Sequence, residues 1–132
     1  MGGLLAGLVL RTIFDSEVPS ASLGSNKLGT GVSPIEGIAL EVLGTMALCL
    51  VVLSAVASVR GGGKQAVIVG ATVTTLIFFL GPISGGSLNP FRSLGPALFS
   101  GYLDGLYVYF IGPIVGAAIA GLLFRAVRTR PF

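Results

Sequence analysis

The sequence predicts an all-α membrane protein, and three observations carry that prediction. Hydrophobic residues make up 53% of the chain, charged residues only 10%, and the mean hydropathy is +0.97. A soluble domain carries about 25% charged residues, so this chain lacks the polar surface to cover a water-exposed globule. Its apolar residues fall into long runs separated by short polar or basic segments, the pattern of successive membrane helices.

The first run, residues 2–14, contains Arg11 and is short of the roughly twenty residues a clean span needs. It has no basic n-region, so a signal peptide does not fit, and Ala6 breaks the myristoylation pattern. It reads as the outer part of a membrane helix. Residues 15–34 form a polar loop rich in Ser, Gly and Asn, long enough to pack over the mouth of the protein. Residues 35–59 are the clearest span. A basic turn, Arg60-Gly61-Gly62-Gly63-Lys64, leads to a second span over 65–81. The pattern then breaks at Gly81-Pro82 and Gly85-Gly86, and residues 89–99 form a segment too brief to cross a bilayer. The last span, 106–127, ends among Arg125, Arg128 and Arg130.

Basic residues orient the spans. Arg60, Lys64 and the C-terminal arginines predict a cytoplasmic side, so the long loop and the 89–99 segment enter from outside. Tyr102, Tyr107 and Tyr109 fall where an outer aromatic belt would sit. The formal charge of +3 does not indicate nucleic acid, because the cations flank apolar runs and form no stripe. One cysteine, Cys49, excludes an internal disulfide and reads as a buried thiol. The chain has no histidine, hence no His-based triad or His-ligated metal, and no cluster of catalytic type; an enzyme, a cofactor or a metal site is not expected.

The chemistry concentrates in residues 81–97. Irregular backbone followed by a helix too short to span is a re-entrant element, tolerated at membrane depth only against protein or water. Asn89 is a good N-cap and Pro90 suits the first helical position. A half-helix opening at the midplane sets its positive dipole end there, which repels cations and protons but not neutral solutes. Arg92, on its first turn, can face the same cavity as Asn89; the alternative is snorkelling to the outer interface. Gly112 and Gly116 form a Gly-x-x-x-Gly pair, which Ala117 and Gly121 extend; tight helix contact and ordinary membrane glycine usage both fit that spacing.

Asn-Pro-Phe-Arg-Ser-Leu-Gly-Pro-Ala at 89–97 resembles the second Asn-Pro-Ala box of the aquaporin (major intrinsic protein) family and its continuation. Glu41-Val42-Leu43-Gly44-Thr45 resembles the start of that family's fourth helix, Gly112-Pro113-Ile114-Val115-Gly116-Ala117 its sixth, and Gly24-Ser25-Asn26-Lys27-Leu28-Gly29 the loop before the fourth. The resemblance covers the chain in order. It implies a partial aquaporin-like right-handed bundle over residues 1–132, a single membrane domain made of a third-helix stub, helices four to six and the second half-helix.

The resemblance also implies roles. Asn89 would donate its amide to passing solute at the midplane, and Pro90 would stack on the proline of the first box. The carbonyls of Gly85, Gly86, Ser87 and Leu88 would form an acceptor ladder, and Glu41 would hold that loop's N–H groups; an ordinary Glu near a helix end is the alternative. Arg92, Gly86 and Ile77 match three of the four constriction positions, the fourth lying on a helix outside this chain. With Ile77 and Gly86 the constriction is wide and weakly polar, implying passage of water and of ammonia, urea or hydrogen peroxide. Gly86 also stands where many relatives carry a mercury-reactive cysteine. Phe91 stands where the box normally carries Ala, so a ring has to be accommodated at the half-helix junction.

The family's pore is a pair of inverted repeats, and this chain matches one repeat and a stub. Three expectations compete: a truncated form of a longer channel, a half-channel with a separately encoded partner, and a homodimer of oppositely inserted copies, which the one-sided basic residues oppose. A tetramer is implied by resemblance alone. The expected function is a passive channel for water and small neutral solutes, with a non-conducting assembly or interaction subunit as the alternative.

Overall fold

A computed structural model describes residues 1–14, 22–58 and 60–128. Part of the predicted polar loop, residues 15–21, and Arg130 lie outside the described residues. Among the described residues five α-helices follow one another: α1 (Gly2–Ile13), α2 (Pro34–Ser58), α3 (Gly62–Ser84), α4 (Pro90–Ser100) and α5 (Val108–Arg128). No strand occurs among the described residues. Helices α2, α3 and α5 are long and apolar enough to cross a membrane, whereas α1 and α4 are shorter. The chain is an integral, multi-pass, all-α membrane protein.

Helix α2 starts on a reciprocal cap. The Ser33 N–H and hydroxyl both donate to Glu36 Oε2, at 2.8 and 2.7 Å, on the first turn. Helix α3 departs from the predicted boundary. The break expected at Gly81-Pro82 does not occur, and the helix runs through Pro82 to Ser84. A glycine before the proline relieves the clash that normally excludes helical backbone there, and the turn closes when Gly85, at φ 94°, donates to the Leu80 and Gly81 carbonyls at 3.2 and 3.1 Å.

Helices α2 and α5 pack side by side through glycine. A Cβ on Gly112 would lie 2.5 Å from Glu41 Cβ, and one on Gly116 would collide with the Val42 carbonyl. Tight contact is therefore the meaning of that Gly-x-x-x-Gly pair. The predicted extension is not: Ala117 is exposed and Gly121 faces open space, while Ala120 is buried. Helices α1 and α4 meet at comparable range. A Cβ on Gly7 would lie 2.7 Å from the Gly95 backbone, and Gly3 and Gly95 would each collide with the opposing main chain.

Two further expectations are corrected. Tyr109 does not belong to an interfacial belt: it is 1% exposed, carried inward by the α2–α5 contact, while Tyr107 is 52% exposed. Cys49 is half-buried rather than fully enclosed, because its turn of α2 lies beyond the closest glycine contacts with α5.

Candidate functional site

The re-entrant element is assembled from four directions. Its loop, residues 85–89, follows α3 and feeds α4. Gly85 and Gly86 have φ of 94° and 57°, and Leu88 has φ of 58°. A left-handed Leu is strained, and its hydrogen bonds hold it there. Glu41, fully buried on α2, accepts from the Ser87 N–H at 2.9 Å, the Leu88 N–H at 2.8 Å and the Ser84 hydroxyl at 2.8 Å. A carboxylate accepts through both oxygens and donates nothing when ionised, which suits a loop whose N–H groups converge on one point. From α5, which packs on α2, the Tyr109 hydroxyl donates to the Ser84 carbonyl at 2.8 Å.

Asn89 caps α4. It has extended backbone (φ −158°, ψ 119°), and its Oδ1 accepts from the Phe91 N–H at 2.9 Å, with Pro90 next at the first helical position. With Oδ1 engaged, the Nδ2 donors project from an exposed side chain. Ser87 Oγ links the start of this helix to itself, lying within hydrogen-bond reach of the Asn89 carbonyl at 2.8 Å and of Ser93 Oγ at 2.5 Å.

Arg92 lies three residues beyond Asn89, and both line one cavity of about 500 Å³ with Gly3, Ala6, Leu23 and Phe91. Arg92 also lines a polar groove of about 360 Å³ with Asn26, Lys27, Gly81 and Gly85. Its guanidinium is tied to the loop before α2: Nη1 donates to Asn26 Oδ1. Asn26 is itself 7% exposed, accepts from Ser93 Oγ at 2.7 Å and donates to the Gly85 carbonyl at 2.6 Å. One of the four ladder carbonyls is thus taken by a side chain, while those of Gly86, Ser87 and Leu88 accept no hydrogen bond among the described residues.

Gly86 and Ile77 are neighbours. A Cβ on Gly86 would lie 3.5 Å from Ile77 Cα and 3.2 Å from the Gly81 nitrogen, and the Ile77 side chain is partly exposed. Phe91 is 61% exposed and meets Phe110 edge-on, with ring centroids 6.5 Å apart; α1 runs past its carbonyl at Gly3. Sequence patterning gives Asn26, Ser84 and Ser93 no individual role in this site and reads Tyr109 as an interfacial belt residue. Asn26 stands inside the 24–29 motif, but its partners lie 59 to 67 residues away.

The arrangement can offer a line of acceptors ending in two outward amide donors and a fixed guanidinium, on one side of an unfilled space. No group of three or more His, Cys, Asp or Glu side chains able to hold a metal occurs among the described residues.

Fold and site together define a multi-pass membrane protein built around a re-entrant half-helix. The chain belongs to the major intrinsic protein family, whose profile it matches over residues 1–124. It is 35% identical over 130 residues to a protein named probable aquaporin TIP2-2 of Arabidopsis thaliana, covering 96% of this chain and 50% of that one. A probable aquaporin NIP-type of Nicotiana alata is likewise 35% identical over 130 residues, covering 98% of this chain and 47% of the relative. Aquaporin TIP2-3 of Zea mays is 40% identical over 101 residues, 74% of this chain and 41% of the relative. The chain spans about half the length of the curated relatives it matches.

Proposed function

We propose that residues 1–132 form one partial aquaporin-like domain, the second half of a passive channel for water and small neutral solutes, completed by a complementary half with the other Asn-Pro box. The observation that carries this reading is the pairing of the capped Asn89 with the pinned Arg92 around one cavity. A solute oxygen at Asn89 accepts from Nδ2, because Oδ1 already holds the Phe91 N–H. A water accepting there directs its own protons away from Asn89, which interrupts a proton wire. The N-terminal end of α4 and the Arg92 charge add an electrostatic barrier to cations and protons.

The carbonyls of Gly86, Ser87 and Leu88 supply the acceptors along the file, and Glu41 fixes their direction. Ile77 and Gly86 leave the constriction apolar on one side and without a side chain on another, favouring ammonia, urea and hydrogen peroxide alongside water. Stopped-flow swelling of proteoliposomes tests the reading. The chain reconstituted with a complementary half is expected to raise osmotic permeability several-fold over protein-free vesicles and to admit urea. Permeability equal to empty vesicles from well-folded protein sinks the channel and favours a non-conducting assembly subunit. Strict rejection of every solute but water refutes the wide constriction.

A further inference from the structure

Away from the half-helix, the opposite end of the bundle holds a second feature. Gly37 lies against Val108, Gly112 against Glu41, and Gly116 against Val42 and Met46, so α2 and α5 run parallel at a constant offset. Carried to their ends, that register sets Arg125 and Arg128 level with the last turn of α2. Helix α3 runs the other way: Ser84 bonds Glu41, Leu80 covers Gly44, and Gln65 Nε2 donates to the Ala55 carbonyl at 3.5 Å. Arg60 and Lys64 therefore share that end. All four of these described cations are exposed, and no described carboxylate lies there, since Glu36 and Glu41 are near the start of α2 and Asp104 precedes α5.

Between α2 and α3 at this end runs a cleft of about 400 Å³, lined by Leu50, Val51, Ser54, Ala55, Ser58 and Ile68. Its walls are those of two helices long and apolar enough to cross a membrane, and most of the side chains lining it are apolar, which suits a lipid acyl chain. Lys64 is one helical turn before Ile68 and so on the same face of α3. Arg60 is two residues beyond Ser58, which lines the cleft from the end of α2.

We infer that this cleft binds an anionic phospholipid, one acyl chain lying against Leu50, Val51 and Ile68 and the phosphate headgroup between Arg60 and Lys64. Apolar walls alone would accept any lipid tail. Two exposed cations with no carboxylate among the described residues at that end select the headgroup: a net negative lipid gains attraction at each, while a choline headgroup brings its own cation. Each basic residue at a membrane surface favours an anionic lipid by about fivefold.

Native mass spectrometry of the full chain, released from detergent containing equal phosphatidylglycerol and phosphatidylcholine, tests this. The unmodified chain should retain phosphatidylglycerol over phosphatidylcholine by about tenfold or more. The double variant Arg60→Gln/Lys64→Gln should lose that preference. Arg125→Gln/Arg128→Gln removes the same charge farther from the cleft and should keep it within about twofold. Ser54→Leu, which fills the cleft with a lipid-compatible side chain, should lower retention of both lipids. Equal retention of the two lipids by the unmodified chain overturns the proposal, and that measurement needs no variant to fold. Equal loss in the two double variants, or unchanged retention in Ser54→Leu, also overturns it, leaving only a diffuse basic rim. Displacement by millimolar glycerol phosphate would assign the cations to a soluble anion instead.

Discussion

Arg92 and Asn26 are joined through Nη1 and Oδ1 across 66 residues of sequence. The bond ties the first turn of α4 to the loop preceding α2, and because Asn26 also donates to the Gly85 carbonyl, one carboxamide spans both sides of the re-entrant loop. A guanidinium on a long stem has many rotamers; a buried acceptor leaves it few. The position of the charge is therefore a property of a loop residue as much as of Arg92.

Replacing Asn26 tests that dependence. Asn26→Ala removes acceptors from Arg92 and Ser93 and a donor from Gly85. The cost should be about 2 kcal/mol or more, since one of these hydrogen bonds is to a charged group. A lower thermal midpoint in detergent, together with a urea-to-water permeability ratio that rises in the completed channel, is the expected pair of outcomes. An unchanged ratio would mean that Arg92 holds its position without Asn26.

Glu41 is the most demanding substitution. Three donors converge on a fully buried carboxylate, and Glu41→Gln puts an NH2 group where one of them points. Two donors facing each other in a buried site cost about 3 kcal/mol between repulsion and lost hydrogen bonding. We expect Glu41→Gln to fold poorly and to lose order first at residues 85–89, read as hydrogen exchange at the Ser87 and Leu88 amides. Native-like protection at those amides would contradict the role given to the carboxylate.

How much of this was legible in the sequence divides by range. The spans and the half-helix are local: runs of apolar residues of sufficient length, and an Asn-Pro pair that caps and starts a helix within four residues. Glycine spacing led to Gly112 and Gly116 and then misled at Ala117 and Gly121, because those two share the small-residue spacing but Ala117 is exposed and Gly121 has no neighbour. Pro82 read as a stop only because a proline's effect depends on the residue before it and on where the helix ends. Asn26, inside a motif, and Tyr109, read as a belt residue, carried no local signal of the partners they have. Their meaning comes from contacts 25 to 67 residues away, and a tyrosine in an interfacial stretch looks the same whether its helix turns it out or in.

Tyr109→Phe isolates one hydrogen bond. The ring stays and the hydroxyl goes, leaving the Ser84 carbonyl buried without its donor. The loss should be about 1–2 kcal/mol. Because Ser84 also donates to Glu41, a small displacement should pass into the carbonyls of residues 86–88. A modest drop in thermal midpoint with a changed solute-to-water permeability ratio is expected; a drop in stability alone would confine Tyr109 to packing.

The glycines of α1 and α4 give a prediction with an internal control. A methyl at Gly95 meets the Gly3 carbonyl and the start of Leu4, all backbone, so nothing flexible can yield. The two helices would have to separate along the contact that also includes Gly7, and Arg11, whose Nη1 donates to the Phe99 carbonyl at 2.9 Å, would lose its reach to the end of α4. Overpacking of this kind costs about 1–3 kcal/mol and often more against rigid main chain. Gly121→Ala is the same chemical change on a transmembrane helix, yet its Cβ meets nothing within 4 Å. There the gain in helix propensity, up to about 1 kcal/mol, stands unopposed. Folded yield in detergent should therefore fall sharply for Gly95→Ala and hold or rise for Gly121→Ala. Equal behaviour of the two would mean that α1 does not press on the half-helix.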